Sequence, residues 1–449
     1  MARQRMMPRG DCHAYGFMCS PPGTQVSDKD LANHSRFTCH IGTASKHPAG
    51  RKQERATSHR INHVPRLLLV GATSRNVGKT QLACDIIRSI AAERTVAAVK
   101  ITAAEPHGDR CVHGGEGCGA CRTLTGDFLI EQEDGRHHDK DTARLLAAGA
   151  NPCLWVRARR AHLRSVLSEL LERLDPAVPI VCESTSLRSV VVPGVFLLVS
   201  AGRTPAGKPA ALRAWDDADQ HVLWDGRSAA FRREDLSFDG RAARWCLRRP
   251  AAAIVLAGGS STRMGHDKAL LPLDGQTLVE TAVAQLRPHF ADVLISAHGP
   301  KDGYPAGVRV IRDRTPGAGP LAAMASACAA SRHDINFVRA CDIPDMDVDL
   351  VTWMLRQARH ADIVVPRDGD HHQPLFAVYR KSVLPAMDAA LAAGERRPAA
   401  IFDRCRTLFI DLAPDEVPVN LNTPADLEAY LGRRRRSSDQ CLVAGKMTS

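Results

Sequence analysis

Apolar runs alternate with amphipathic stretches along most of the chain, and this pattern predicts regular structure from about residue 65 onward. Residues 67–70 read Leu-Leu-Leu-Val and predict a buried strand, and Leu82, Ile86 and Ile90 then recur at helical spacing. A second apolar run, "TVAAVKIT", follows the helix. A strand, a glycine-containing loop, a helix and a strand in this order predict a βαβ unit with a right-handed crossover.

The alternation restarts after "RWCLRRP" at residues 244–250, so the pattern predicts two successive α/β units. The first also contains the apolar runs "PIVCES" and "VPGVFLLVSA", and the second contains "AAAIVLAGG", "DVLISA", "VRVIRD", "INFVRACD", "DIVVP" and "PLFAVYR". Helical stretches such as "VLSELLERL" and "LVETAVAQLRPHF" lie between these runs. We therefore expect two three-layer α/β domains with mostly parallel sheets.

The predicted boundaries follow the same pattern. Residues 1–64 mix Pro, Gly, Ser, His and basic residues without a clear period, so we expect a disordered basic extension there. A targeting segment or an over-early start codon are the alternatives. The two α/β domains are predicted over 65–248 and 249–432, and residues 433–449 form a basic tail.

The composition narrows the class of partner. Apolar residues make up 44% of the 449-residue chain, yet the sequence has no run of about eighteen apolar residues that would span a membrane. The N-terminus lacks the apolar core of a secretory signal, so we expect a cytoplasmic protein whose 14 cysteines are mostly reduced thiols. A net charge of +11 suits phosphate-rich substrates, whereas only 4% aromatic residues argue against nucleic acid.

The stretch "AIVLAGGSSTRMGHDKALLPLDG" at residues 253–275 has the pattern of a phosphate-binding turn. Gly258 and Gly259 follow a buried strand and let the backbone N–H groups approach phosphate oxygens. Arg263 offers a planar donor fork and Lys268 a mobile positive charge, which together would neutralise a triphosphate. The alternative is a glycine turn with two solvated cations, and the full combination favours the nucleotide site.

This stretch resembles the signature of the molybdenum cofactor guanylyltransferases, which join GMP from GTP to molybdopterin and release pyrophosphate. The resemblance covers roughly residues 250–432 and implies a Rossmann-like nucleotidyltransferase fold. Glycine at position 258, where related cytidylyltransferases carry alanine, favours GTP over CTP. The nucleotide-binding residues that the resemblance implies in this turn are Leu256, Ala257, Gly258, Gly259, Ser261 and Lys268.

Two aspartates further along match the same family. In "IRDRTPGAGPLAAM" the match implies that Asp313 contacts the nucleotide. In "VRACDIPDMD", Asp342 ends a buried strand, and the resemblance implies that it binds Mg²⁺ and the nucleotide, as a carboxylate at the end of a sheet strand can. We interpret Asp345 and Asp347 as solvated loop acids and Cys341 as a small buried residue rather than a nucleophile.

The acceptor side is implied by two further stretches. Gln373, Pro374 and Asn422 match positions that line the molybdopterin side in the family. The family's asparagine that contacts the base is replaced by His298, which leaves the base selectivity open. We interpret the adjacent histidines at 371–372 as a polar strand start, since neighbouring side chains in a strand face opposite sides.

A second phosphate-binding motif, "GATSRNVGKTQLA", lies in the first domain. Gly78, Lys79 and Thr80 form the core of a P-loop, in which backbone N–H groups and the lysine bind phosphates and the hydroxyl ligates Mg²⁺. The spacing is a variant, because the preceding glycine, Gly71, stands seven residues before Gly78 rather than five. A plain helix start with Gly and Thr is the alternative.

The setting of this motif resembles the P-loop accessory proteins of molybdopterin guanine dinucleotide synthesis and, more distantly, dethiobiotin synthetases. The resemblance covers about residues 65–245 and implies a P-loop NTPase-like fold that binds a nucleotide. The shared features are the Gly-Lys-Thr loop and Lys100 on the second strand. Glu183 follows a buried strand, where related folds hold an acid near Mg²⁺.

A cysteine cluster interrupts this domain at "CVHGGEGCGACRTLTGDF". Cys111, Cys118 and Cys121, with His107 or His113 as a fourth ligand, would suit Zn²⁺ or an iron–sulfur cluster. A flexible glycine-rich loop with reduced thiols is the alternative, because four ligands are not forced by the spacing.

The leading hypothesis is a two-domain enzyme that transfers GMP in molybdopterin guanine dinucleotide synthesis. Arg263, Lys268 and Asp342 are its predicted catalytic residues, with Mg²⁺ as cofactor, GTP and molybdopterin as substrates, and a molybdoenzyme client or chaperone as a candidate partner. A cytidylyltransferase or a sugar-phosphate nucleotidyltransferase on the same fold is the second hypothesis. The third is an adaptor that senses nucleotide or metal and delivers the cofactor.

Overall fold

The computed structural model describes residues 38–41, 62–104, 124, 126–136, 140–204, 212–258, 267–315 and 317–434. Within these ranges the chain forms two large sheets, one of seven strands and one of nine. Each sheet has an apolar core on both faces: Leu68 and Leu69 point to opposite sides of the first, and Ile254 and Val255 to opposite sides of the second. The chain is therefore a mixed α/β protein with layered cores, as predicted.

The chain enters the second sheet with β1 (Thr38–Ile41) and then builds the whole of the first sheet. The strands of the first sheet are β2 (Asn62–Ala72), β3 (Ala97–Ala104), β4 (Phe128–Gln132), β5 (Cys153–Arg159), β6 (Ile180–Glu183), β7 (Val191–Ser200) and β8 (Gln220–Leu223). Their order is β4-β5-β3-β6-β2-β7-β8, and β4 alone among them runs antiparallel to its neighbour.

The helices of the described ranges that pack beside this sheet include α1 (Lys79–Ala91), α2 (Asp141–Ala147) and α3 (Leu163–Arg173). The amphipathic face of α1 packs on the sheet because its apolar side chains recur every three to four residues, and Leu82, Ile86 and Ile87 are almost fully buried. A hairpin of β9 (Leu236–Asp239) and β10 (Arg244–Leu247) follows.

The remaining strands are β11 (Arg249–Leu256), β12 (Pro272–Leu273), β13 (Gln276–Thr277), β14 (Phe290–Ala297), β15 (Arg309–Arg312), β16 (Ile335–Ala340), β17 (Ile363–Asp368), β18 (His371–His372), β19 (Phe376–Arg380) and β20 (Thr407–Asp411). The second sheet has the order β1-β20-β17-β19-β16-β11-β14-β15, with β18 paired to β17, and β12 and β13 form a separate hairpin. The described helices of this part of the chain are α4 (Leu278–Leu286), α5 (Pro320–Ala330), α6 (Val348–Gln357) and α7 (Leu384–Ala392), and residues 424–434 are also helical.

Two features of the second sheet differ from the sequence-based expectation. β19 runs antiparallel to both β16 and β17, so this sheet is less uniformly parallel than we expected. β1 lies inside the segment 1–64, for which we predicted no regular structure, and it pairs antiparallel with the edge strand β20. A strand of four residues is too short to show a hydrophobic period, and its pairing partner lies far along the chain. The sequence pattern therefore could not indicate it.

The two sheets meet at a buried ionic cluster around Asp219. Its carboxylate accepts a hydrogen bond from Arg249 at 2.9 Å and from the backbone N–H of Phe196 at 2.8 Å, and Arg356 of α6 lies 3.7 Å away. Burial would raise the pKa of Asp219, but the guanidinium groups of Arg356 and Arg249 outweigh it and lower the pKa. The cluster therefore joins β7, β11 and α6 through one desolvated carboxylate.

A second contact joins the same parts of the chain. The carboxylate of Asp349, in the first turn of α6, accepts a hydrogen bond from Arg244 at 2.7 Å and lies 3.3 Å from His63. The indole N–H of the fully buried Trp245 donates to the carbonyl of Arg66 at 2.9 Å.

None of the helices in the described ranges is both long and apolar enough to cross a bilayer.

A buried histidine between α4 and β14 predicts how stability depends on pH. His289 is 6% exposed, and burial, aided by the nearby Arg249 cation, lowers its pKa to about 3. An unfolded histidine has a pKa of about 6.5, so below that pH the unfolded state binds a proton that the folded state does not bind. The free energy of unfolding therefore decreases as the pH falls below this value. Between about pH 7.5 and 5.5 the wild type should lose about 1.4 kcal/mol more unfolding free energy than His289→Phe. Urea unfolding at both pH values measures this, and equal losses would contradict it.

Candidate functional site

The candidate site of the second sheet lies where three parallel strands end side by side. β11 pairs with β14 on one side and with β16 on the other, so Leu256, Ala297 and Ala340 bring their carboxyl ends to one edge. The N–H of Cys341 donates to the carbonyl of Leu256 at 3.1 Å, and the N–H of Ala257 donates to that of Ser296 at 2.8 Å. Ligands of open α/β sheets bind at this edge, which places the predicted residues where a nucleotide would lie.

Three predicted residues from distant parts of the chain meet here. The amino group of Lys268 donates to Asp342 Oδ2 at 3.2 Å and to Asn422 Oδ1 at 3.1 Å. The backbone N–H of Leu421 donates to the carbonyl of Asp342 at 2.8 Å, which fixes the segment before Asn422 against the end of β16. The structure therefore joins the predicted nucleotide, metal and acceptor residues in one hydrogen-bonded group.

The remaining oxygen of Asp342 is suited to a metal ion. Oδ1 is buried and has no hydrogen-bond partner among the described residues, although a buried carboxylate oxygen normally has one. Mg²⁺ commonly binds proteins through one or two carboxylates and completes its shell with phosphate oxygens and water. Over the described ranges, no group of three or more His, Cys, Asp or Glu side chains is arranged to hold a metal. A single carboxylate that shares its metal with a substrate agrees with both observations.

Gly258 and Asp313 lie together on the other side of β11. A Cβ at position 258 would stand 3.3 Å from the α-carbon of Ala297, which is a tight contact, and 3.5 Å from Asp313 Oδ2, which is an ordinary one. The other oxygen of Asp313 accepts a hydrogen bond from Ser296 at 3.0 Å. A side chain at position 258 would therefore fit tightly against the end of β14, which agrees with the glycine found there.

The other predicted residues take different places. His298 follows β14 directly and is exposed. Gln373 donates its backbone N–H to Pro366 at 2.8 Å, and the carbonyl of Pro374 accepts from Tyr379 at 2.8 Å, so both have contacts with the strands beneath them. Gly259, Ser261 and Arg263 lie outside the described residues, as do Cys111, Cys118 and Cys121 with His107 and His113.

The neighbouring acids and thiol have structural roles. Asp345 accepts a hydrogen bond from Tyr430 at 2.7 Å, and Asp347 caps α6 by accepting from two backbone N–H groups. Burial raises the pKa of Cys341 to about 12, so this thiol is protonated at neutral pH. Of the adjacent histidines in β18, His371 is exposed, whereas His372 packs against two aromatic rings and its pKa is lowered by burial.

Sequence reasoning missed a tyrosine beside this group. The hydroxyl of Tyr304 is buried and has no partner among the described residues. Burial, with the charges of Asp267 and Cys341 nearby, raises its pKa to about 12. Tyr304 lies in an irregular loop between β14 and β15, and no periodicity or motif singled it out. Only the fold brings Tyr304 close to Asp267, the residue before Lys268, so no sequence pattern could have identified this tyrosine.

A second polar cluster surrounds the P-loop motif in the first sheet. Lys79 Nζ lies 3.4 Å from Glu183 Oε1, and Lys100 donates to the same oxygen at 3.0 Å and also to Asp141. Burial would lower the pKa of Lys100, but the Glu183 and Asp141 carboxylates outweigh it and raise the pKa. Asp141 also hydrogen-bonds Thr80. Glu183 Oε2 is buried without a partner in the described part of the chain.

The loop before α1 departs from the expected spacing for a physical reason. Gly71 belongs to strand β2 rather than to the loop, and a Cβ there would lie 2.9 Å from the ring of Phe196. Gly78 has a φ of 74°, and a Cβ on it would stand 2.1 Å from the indole of Trp224. Gly71 is therefore required by packing, whereas Gly78 is required by the backbone turn and by Trp224 together.

Comparisons with known proteins cover the second sheet. A family model, the MobA-like NTP transferase domain, matches residues 253–408. A molybdopterin-guanine dinucleotide biosynthesis protein A from Archaeoglobus fulgidus, whose structure is solved, is 22% identical with a TM-score of 0.36 and covers 40% of this chain and 95% of its own.

Two curated relatives are closer in sequence. A probable molybdenum cofactor guanylyltransferase from Pelotomaculum thermopropionicum is 35% identical over 184 residues, which make up 39% of this chain and 90% of the relative. One from Mycobacterium tuberculosis is 40% identical over 188 residues, or 40% of this chain and 92% of the relative. Nearly the whole of each relative is thus matched by the part of the chain that holds Lys268 and Asp342. This chain therefore belongs to the molybdenum cofactor guanylyltransferase family and is a nucleotidyltransferase.

Proposed function

We propose that this enzyme transfers GMP from GTP to the molybdenum–molybdopterin cofactor and releases pyrophosphate. The observation that carries the proposal is the group formed by Lys268, Asp342 and Asn422, in which one carboxylate oxygen accepts from the lysine and the other has no hydrogen-bond partner in the described part of the chain. The names of the relatives support the substrates.

The proposed reaction needs no covalent intermediate. A terminal phosphate oxygen of molybdopterin bonds to the α-phosphorus of GTP while the bond to the bridging oxygen breaks, and pyrophosphate leaves with that electron pair. Asp342 would hold Mg²⁺ through Oδ1, and the ion supplies positive charge to the phosphates when it is bound. Lys268 stabilises the charge that develops on the transferred phosphoryl group, and we expect Arg263 to do the same.

The geometry of the site would orient both substrates. Gly258 and the N–H groups at the end of β11 would bind the triphosphate, with Asp313 beside them. Asn422 accepts a hydrogen bond from Lys268, so the acceptor side and the charge-stabilising lysine are fixed relative to each other. Positioning and electrostatic stabilisation therefore account for the chemistry that these residues can perform.

We further propose that the first sheet binds a second nucleotide at its P-loop. Lys79 begins α1 immediately after Gly78, whose positive φ turns the loop toward the helix N-terminus. The carboxylate of Glu183 holds Lys79 beside Lys100, and its other oxygen, like that of Asp342, has no partner among the residues that the structure describes. These contacts suit a nucleotide phosphate with a divalent cation. A role in delivering the cofactor to a molybdoenzyme client or chaperone stays a prediction.

Lys268→Ala tests the proposed transfer. Loss of a donor that stabilises developing charge typically lowers kcat by about a hundredfold to a thousandfold, so we expect at least a hundredfold loss. The measurement is GMP transfer from labelled GTP to molybdenum–molybdopterin in the presence of Mg²⁺. Lys381→Ala is the matched control, because that lysine donates to the carbonyl of Ser331 on the scaffold. Transfer by Lys268→Ala at the control's rate would refute the assignment, and transfer of CMP or to a sugar phosphate would redirect it.

His298→Asn tests the choice of base. His298 is exposed at the end of β14, and asparagine would offer an amide donor and acceptor in place of the ring nitrogens. One hydrogen bond to the base is worth roughly 1 kcal/mol, so the ratio of kcat/KM for GTP to that for CTP should rise about threefold to tenfold. Rates with the two nucleotides at equal concentration give this ratio. An unchanged ratio would show that this position does not contact the base.

Trp224 provides a reporter for the proposed P-loop site. Its indole lies against the α-carbon of Gly78, so a nucleotide on the loop should change its fluorescence. We expect GTP to alter the emission of the full chain and the change to vanish in Trp224→Phe. Lys79→Ala should weaken the response by at least tenfold in GTP concentration while GMP transfer stays within twofold, because the proposed transfer site is separate. An unaltered titration of Lys79→Ala would rule out binding at this loop.

A further inference from the structure

A fully buried arginine lies three residues before Asp342. Arg339 is in the middle of the second sheet, on β16, and its side chain is 0% exposed. Its Nε donates to the carbonyl of Ile343 at 2.9 Å, and one terminal nitrogen donates to the same carbonyl. The other terminal nitrogen donates to Gln285 Oε1 at 2.7 Å. The guanidinium is therefore bound to the turn that directly follows Asp342.

Burying this cation is unfavourable unless its hydrogen bonds offset the free-energy cost of removing it from water. Burial lowers the pKa of Arg339 to about 10, so the group is still charged at neutral pH. The hydrogen bonds described above run to a carbonyl and an amide rather than to a carboxylate. If this position only had to fill space in the core, an apolar side chain of similar volume could be buried at a lower free-energy cost. The arrangement of these donors thus points to a role in the conformation of the turn.

Gln285 completes a closed set of contacts on this turn. It lies on α4, accepts from Arg339 and donates its own amide to the carbonyl of Pro344 at 2.9 Å. The carbonyl groups of Ile343 and Pro344 are thereby held from one side, while the carbonyl of Asp342 is held from the other side by Leu421. The peptide that carries the Asp342 carboxylate is consequently fixed at three successive carbonyl groups.

We infer that Arg339 and Gln285 are positioning residues for the metal-binding carboxylate of Asp342. This rests on the proposed function, in which Asp342 Oδ1 binds a divalent cation. Their task is to hold the peptide after β16 so that Oδ2 meets Lys268 and Oδ1 faces the nucleotide. Residues that orient a metal ligand from behind typically change metal affinity or activity tenfold to a hundredfold when removed.

A second buried arginine supplies the matched control. Arg66 is 8% exposed and donates to the carbonyl groups of Asp175 and Leu174, among others, so it performs the same kind of carbonyl binding in the first sheet. Arg66→Met and Arg339→Met both exchange a buried guanidinium for a flexible apolar side chain. Both should lower stability, but only the second touches the turn at Asp342.

The experiment compares Arg339→Met, Gln285→Met and Arg66→Met with the otherwise unchanged sequence, all in a full chain that carries Lys79→Ala to weaken the second proposed site for GTP and a divalent cation. We measure kcat and KM for GTP, the Mg²⁺ concentration at half-maximal rate, and the Kd of Mn²⁺ with GTP by electron paramagnetic resonance. Thermal unfolding checks that each variant folds. Arg339→Met should lower kcat about tenfold or more and weaken Mn²⁺ by a similar factor, with Gln285→Met about threefold in the same direction. Arg66→Met should stay within twofold in both.

Each outcome decides between the alternatives. Wild-type kcat and Mn²⁺ affinity in both Arg339→Met and Gln285→Met would overturn the inference, as would equal losses in Arg66→Met. If Arg339→Met does not fold, the Gln285→Met result decides, because Gln285 is only half-buried. If the wild type binds Mn²⁺ with GTP but transfers no GMP, the proposed function fails, and the Mn²⁺ affinities still test the positioning role.

Discussion

The arrangement of the whole molecule depends on one carboxylate that is removed from water. Asp219 has three polar partners from three elements, and losing either of its two cations, Arg249 or Arg356, would leave its buried negative charge less well compensated. Arg249, one of those cations, is also the first residue of β11, the strand whose other end holds Gly258. One strand, β11, therefore takes part both in the contact between the sheets and in the candidate nucleotidyltransferase site.

The two regions that we propose to bind phosphate have the same electrostatic arrangement on different sheets. In each, a carboxylate at the end of a central strand has one oxygen bound to lysine and the other without a partner among the described residues, namely Asp342 with Lys268 and Glu183 with Lys79 and Lys100. A lysine so held is already desolvated and oriented before any phosphate binds, which lowers the reorganisation that binding requires. The sequence similarity of the relatives covers only the second of these regions.

Much of the fold was predictable because the central strands are continuous apolar runs flanked by glycine turns. Strand β5, next to the edge strand β4, was not predicted, since Trp155 and Arg157 interrupt its apolar pattern and are stabilised by cation–π contact and by Glu131 across the sheet. Lys268 and Asn422 are 154 residues apart, and no local pattern could bring them together without the family resemblance. The same holds for Arg339, whose burial contradicts the usual position of a charged side chain.

Because β1 pairs with β20, the two sheets are not formed one after the other along the chain. The chain begins its described structure in the second sheet, leaves to complete the first, and returns at β11, so the first sheet is an insertion rather than the leading member of a tandem pair. A fragment that started at residue 249 would lose its edge strand and expose the unpaired N–H and C=O groups of β20, a known template for aggregation. The sheet that carries the matched region therefore includes a strand, β1, that lies outside the residues matched by the family model.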